Sequence, residues 1–243
     1  MTKIATFVGA AVLAIWAPLA QATIQIQYQI DGVGPLITCA TGTDAIGAST
    51  GILCGGIAGP PTTTGLEASS NWPGTSSLSE VLGAVLSISN TSTATHKIEI
   101  FITAQDFTAP VTPPNIILDS HVGGTVAVGS AADLLSFKSC VDPTNSLTAC
   151  AAGSIQSGLG TPAITAAGSF KDDQFGVITS LASPYSISQE LTVTLGAGAN
   201  VNLSTSTTLT PVPEPMSIVL LGGVVLVSSR LVRRRRRGQA SQV

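Results

Sequence analysis

The sequence predicts an all-β ectodomain, sandwich-like and built of antiparallel strands, with an N-terminal signal peptide and a C-terminal single transmembrane helix. Three observations predict it. Several stretches alternate apolar and polar residues with period two, which places alternate side chains on opposite faces of a sheet. Charged residues make up only 9% of the chain, and Gly, Ser, Thr and Pro crowd the segments between apolar runs, a composition of strands joined by turns. The two unbroken apolar segments fall at the two ends of the chain.

The first element is Met1 to Ala22. Lys3 gives a basic start, Ile4 to Leu19 is almost wholly apolar, and Ala20-Gln21-Ala22 supplies small residues at the exit. A basic start, a short apolar core and an A-x-A exit read as a secretory signal peptide, with cleavage expected after Ala22.

Strands follow. In Thr23 to Ile30, Ile24, Ile26, Tyr28 and Ile30 share one face, and Gln25, Gln27 and Gln29 the other. Lys97 to Thr103 alternates in the same way, with Ile98, Ile100 and Ile102 together. The segment from Leu78 to Ile88 fits two periods. A helical stripe runs through Leu78, Val81, Leu82, Val85 and Leu86, and a strand phase through Leu82, Ala84, Leu86 and Ile88. The strand is favoured, because Gly83 weakens a helix and Asn90-Thr91-Ser92 supplies a turn before the next strand. Ser130 to Phe137 carries a similar ambiguity. Gly124 to Val128 and Gly176 to Leu181 are weaker strand candidates. Tyr185 to Leu195 and Val201 to Leu209 flank Gly196-Ala197-Gly198-Ala199-Asn200 and read as a closing hairpin.

Four cysteines, Cys39, Cys54, Cys140 and Cys150, form an even set in an exported chain and read as disulfides. Three pairings are possible. The sequence-neighbour pairing Cys39–Cys54 and Cys140–Cys150 is the expected one, each loop holding turn formers. No C-x-x-C pair exists and the histidines lie far off in sequence, so neither a metal site nor any cofactor is expected.

Catalytic chemistry has little to build on. His96 and His121 are the two histidines, and no Gly-x-Ser-x-Gly elbow appears. A hydrolase would need one of them beside a carboxylate in a cleft. The adjacent acids Asp172 and Asp173 follow Lys171 in what reads as a solvated turn. No catalytic residue is assigned, and the chain is expected not to be an enzyme. Trp72, ahead of Pro73-Gly74, reads as a loop aromatic able to stack on sugar.

The C-terminal element is Pro211 to Arg237. Met216 to Ser229 gives fourteen apolar or small residues, roughly 21 Å of helix against a hydrocarbon core of ~30 Å. Arg230 can snorkel and lengthen the span through Leu231 and Val232. Arg233, Arg234, Arg235, Arg236 and Arg237 then form a basic block that stays cytoplasmic, which places the domain outside the inner membrane. Pro213 and Pro215 hold Val212 and Glu214 extended, so a helix begins at Pro215 or just after it. The result is a stiff, extended, acidic tripeptide where a protease requires an accessible strand.

Val212-Pro213-Glu214-Pro215, a short apolar span and an Arg cluster, in that order, resemble the PEP-CTERM sorting signal of Gram-negative bacteria that make extracellular polysaccharide. The resemblance covers roughly the last thirty residues. One departure is the extra Gly238 to Val243 beyond the Arg block. The resemblance implies a multipass membrane cysteine enzyme, an exosortase, that recognises and removes the tail, with the inner membrane a transient anchor. Leu86 to Pro110 also resembles a recurrent segment of such ectodomains. The organisation is then signal peptide 1–22, ectodomain 23–203, Ser/Thr/Pro linker 204–212, sorting signal 213–237 and tail 238–243.

Charge narrows the partners. Lys3, Arg230 and the five tail arginines sit at the ends, leaving Lys97, Lys138 and Lys171 against all 13 acidic residues between them. Such a surface disfavours nucleic acid. The expectation is a cell-surface or extracellular matrix protein associated with exopolysaccharide or biofilm. The competing expectation is a carbohydrate-binding module or adhesin tethered at the surface.

Overall fold

The computed structural model describes residues 22–44 and 51–213. Among them are thirteen strands: β1 (Ala22–Ile30), β2 (Ile37–Asp44), β3 (Ile52–Leu53), β4 (Gly56–Ile57), β5 (Thr62–Ser70), β6 (Ser79–Ser89), β7 (His96–Phe107), β8 (Ile116–Val128), β9 (Leu134–Asp142), β10 (Ile155–Gln156), β11 (Gly168–Ile178), β12 (Tyr185–Leu195) and β13 (Asn200–Pro211). They form two sheets. One runs β10-β9-β12-β7-β1-β2 and the other β11-β8-β13-β6-β5-β3, with β4 also on β5. Every pairing is antiparallel. The core lies between the sheets, as the alternation demands.

The two clearest sequence patterns occupy the centre. Ile24 and Ile26 of β1 and Ile98, Ile100 and Ile102 of β7 are buried. The glutamines of β1 face out, and Gln27 Nε2 donates to Thr38 Oγ1 at 3.2 Å across the β1–β2 pair. The ambiguous segment 78–88 is strand. Val81, Gly83, Val85 and Ile88 are buried in β6, while Leu82 is exposed. Gly83 serves close sheet packing here: a Cβ at this position would meet Ile102 Cδ1 and Thr205 Oγ1 at 2.6 Å.

A polar seam crosses the apolar core. Ser139 of β9 donates to Ser120 of β8 at 2.8 Å and also meets the Thr207 hydroxyl of β13. Gln189 of β12 donates to Thr207 Oγ1 at 3.0 Å and to Val81 O at 2.8 Å, and accepts from Thr205 Oγ1 at 2.7 Å. All five side chains are buried. A satisfied network of this kind fixes the relative register of two sheets that apolar contacts alone leave free to slide.

Both disulfides follow the sequence-neighbour pairing, Cys39–Cys54 and Cys140–Cys150, with Cα–Cα distances of 5.4 and 5.2 Å. The first ties β2, an edge of one sheet, to the residue after β3, at the edge of the other. The second holds the segment 143–154 back over the outer face of β12, where Ser186 Oγ donates to Ser146 O at 2.7 Å. Replacing Cys39 and Cys54 together by alanine is expected to cost about 3 kcal/mol, for a separation of 15 residues. The urea midpoint of the oxidised protein against the variant measures it.

Three expectations need correction. β12 and β13 do not form a hairpin, because they lie in opposite sheets. Buried Asn90 donates to Leu195 O at 2.8 Å and Gly196 O at 3.0 Å, and Asp133 accepts from Gly196 N at 2.7 Å, which carries the connection across the sandwich. Residues 204–212 are not a linker. β13 continues to Pro211 because Thr205, Thr207 and Leu209 keep the buried phase begun by Val201 and Leu203. Asp172 and Asp173 are not in a turn but inside β11, an edge strand, where charge discourages pairing with another sheet.

Candidate functional site

Each histidine meets an aspartate, in two unlike settings. His96 opens β7, and its Nδ1 lies 2.8 Å from Asp31 Oδ2 in the β1–β2 turn. Asp31 Oδ1 also accepts from Lys97 N at 2.8 Å. Those two bonds, that from the Lys97 backbone first and that from His96 next, hold the Asp31 carboxyl below its ordinary range. A carboxylate with a depressed folded pKa stabilises the fold above the unfolded value and loses that contribution as pH falls through the folded one. Asp31→Asn is therefore expected to flatten the acid limb of stability against pH below about 4, the unfolded carboxyl range. Denaturant midpoints across that window check it.

His121 projects from the outer face of β8. Register places Asp173 of β11 on one side of it and Ser206 of β13 on the other. Ser206 in turn stands opposite Leu82 of β6, and Leu82 opposite Ser69 of β5. The row Asp173–His121–Ser206–Leu82–Ser69 thus crosses the sheet. His121 Nδ1 contacts Asp173 Oδ1, and the ring extends over Gly123. A depression of about 490 Å³ lies over this row, lined by Glu67, Ser69, Leu82, His121, Ser204 and Ser206.

The chemistry of this face is hydrogen bonding. It presents hydroxyls, the Asp173 and Glu67 carboxylates and one imidazole around an aliphatic side chain. Aspartate, histidine and serine stand in one row, which sequence alone did not reveal, and the cross-strand register is the reason. Among the described residues no hydrogen bond joins His121 to Ser206, and the His121 and Asp173 side chains are 38% and 58% exposed. Activation of a hydroxyl nucleophile requires that bond in a sheltered site. The His121–Asp173 contact is instead a solvated cross-strand pair.

Trp72 departs from expectation. It is 5% exposed, and its Nε1 donates to Asp106 O at 2.7 Å. The ring is a core anchor rather than a sugar platform. The apolar run Phe107, Tyr185 and Trp72 closes one end of the sandwich, with Phe107 and Tyr185 stacked at 5.8 Å. Burial pushes the Tyr185 phenol up to about 12, so it remains a neutral donor to Ser79 Oγ at 3.2 Å.

Of the sorting motif, Pro213 is the last described residue and is exposed. Glu214, Pro215, Arg230 and Arg233 to Arg237 lie outside the described residues, as do residues 1–21 of the signal peptide and the expected membrane span. Among the described residues no helix is long and apolar enough to cross a membrane, and no cluster of three or more His, Cys, Asp or Glu side chains is placed to hold a metal ion. The two disulfides point to an oxidising, extracytoplasmic location. Comparison with protein-family profiles, with curated proteins and with solved structures finds no match.

Proposed function

We propose that this chain is an exported bacterial surface or matrix protein whose C-terminal tail is an address, recognised at Pro213-Glu214-Pro215 and removed by an exosortase. One observation carries the reading. β13 pairs in register to Pro211, and Val212 N donates to Asn115 O at 2.6 Å. The described ladder therefore stops just before the motif, and Pro213 is the first residue past it. The sandwich itself acts as a non-catalytic building block of a polysaccharide matrix. Its disulfides, its cross-sheet polar seam and its acidic surface suit persistence outside the cell, and the acidity disfavours nucleic acid. Cell fractionation tests the reading. The ectodomain is expected outside the inner membrane when the sorting enzyme is present and in the inner membrane when it is deleted; an unchanged distribution contradicts the proposal.

A second reading has its own observation. The hydroxyl-rich depression around Glu67 and His121 suits a polysaccharide strand, which would make the domain a carbohydrate-binding module or adhesin. A glycan array tests it, with Glu67→Ala expected to abolish any signal seen.

A further inference from the structure

We propose that the end of the sandwich at which the described chain enters at Ala22 and leaves at Pro211 rests directly against a phospholipid headgroup surface in the tethered precursor. The inference builds on the sorting reading, which puts the tail in the bilayer. Three observations carry it.

The first is where the chain enters and leaves the fold. Ala22 at the start of β1 pairs with Asp44 at the end of β2, and β1 runs antiparallel to β7, which ends at Phe107. Pro211 pairs with Ile116, the first residue of β8, and the loop 108–115 joins β7 to β8. Entry and exit thus share one pole. The connections 31–36, 90–95, 129–133 and 196–199 lie at the other.

The second is reach. Val212 is bonded to Asn115, and the C-terminal apolar segment begins at Met216. Three residues, Pro213 to Pro215, lie between. Fully extended they span at most about 11 Å. The interfacial layer on one side of a bilayer is itself roughly 5–8 Å deep. A domain tethered this closely stands within a few Å of the headgroups even at full extension.

The third is charge. The described loops at this pole, 71–78, 108–115, 143–154 and 179–184, contain no Asp, Glu, Lys or Arg. Their exposed side chains include Ser76, Val111, Pro113, Thr148 and Ala182. Two of the acids at their margins have internal partners. Asp142 is buried and accepts from Thr144 at 2.8 Å, and Asp106 accepts from Asn145 Nδ2 at 2.6 Å. Glu80, half-buried on β6, and Asp44 at the end of β2 also border this pole. An acidic domain is repelled by an anionic leaflet. A pole whose described loops carry no charge approaches it at low electrostatic cost. This pole is also firmly built: Thr112 N donates to Leu181 O at 3.0 Å and Leu181 N to Thr112 Oγ1 at 2.8 Å.

The test places a photo-crosslinking residue, p-benzoylphenylalanine, at Val111 or at Thr93, which is exposed on the opposite pole. The full chain is reconstituted in vesicles of equal parts phosphatidylethanolamine and phosphatidylglycerol and irradiated. Lipid adducts at position 111 are expected to exceed those at 93 several-fold. Equal yields, or more at 93, in a chain that resists alkaline extraction overturn the proposal and leave the sorting reading standing. A chain released by alkaline extraction shows the tail outside the bilayer and removes both.

Discussion

Trp72→Ala is expected to lower the unfolding free energy by about 3–5 kcal/mol, the cost of emptying a large aromatic site in a packed core. The ring is 5% exposed, and its indole N–H satisfies the carbonyl of Asp106 at 2.7 Å. Asp106 takes a positive φ of 64°, a backbone form that needs support. Asn145 supplies part of it by accepting from Asp106 N at 2.8 Å. Trp72→Phe keeps much of the apolar volume but leaves the carbonyl without its donor, so a smaller loss of about 1–2 kcal/mol is expected. The transition is best followed by far-ultraviolet circular dichroism, since Trp72 is the only tryptophan left once the expected signal peptide is removed. A Trp72→Ala protein as stable as the parent would show the ring to be outside the core and would return it to the list of possible sugar platforms.

The second large effect concerns processing. Glu214→Ala, or alanine at both Pro213 and Pro215, is expected to block removal of the tail and leave the full chain in the inner membrane. The prolines restrict the backbone to an extended form, and the glutamate is the one charge between Lys171 and Arg230 other than Asp172, Asp173 and Glu190. Immunoblotting of membrane and external fractions measures the outcome. Normal release of either variant would contradict recognition through this tripeptide. The disposition of β13 sharpens the expectation. Residues up to Val212 belong to a hydrogen-bonded ladder, and a protease requires an extended strand free of other pairing. The cut is therefore expected beyond Val212.

Much of the strand content was legible because it is local. Ile24, Ile26, Ile98, Ile100 and Ile102 carry their burial in a period of two, and the structure follows it. What failed was the assignment of partners. Tyr185–Leu195 and Val201–Leu209 were readable as strands, but the same alternation serves a hairpin and an arch between sheets equally well. The deciding contacts come from Asn90 and Asp133, far away in sequence. The polar seam was hidden for a chemical reason. Ser120, Ser139, Gln189, Thr205 and Thr207 look like surface residues by type, and only their phase within a strand marks them as inward. Thr205 and Thr207 did show that phase, continuing Val201 and Leu203, and the Thr/Pro-rich composition that follows drew the reading toward a linker instead. The pair Asp172 and Asp173 misled similarly, since charge on an edge strand resembles charge in a turn.

The candidate face on the outer side of the second sheet was not legible at all. Asp173, His121 and Ser206 are separated by long stretches of chain and meet only through the register of β11, β8 and β13. The disulfides were easier, because short separations and intervening turn formers favour neighbour pairing.

The most direct test of the central claim is the intact mass of the protein recovered from cells with and without the sorting enzyme. The account expects a chain that begins at Thr23 and ends between Pro213 and Pro215 only when the enzyme is present, with any added mass marking transfer to a carrier. A chain that still ends at Val243 in both strains, or one cut inside β13, would contradict it.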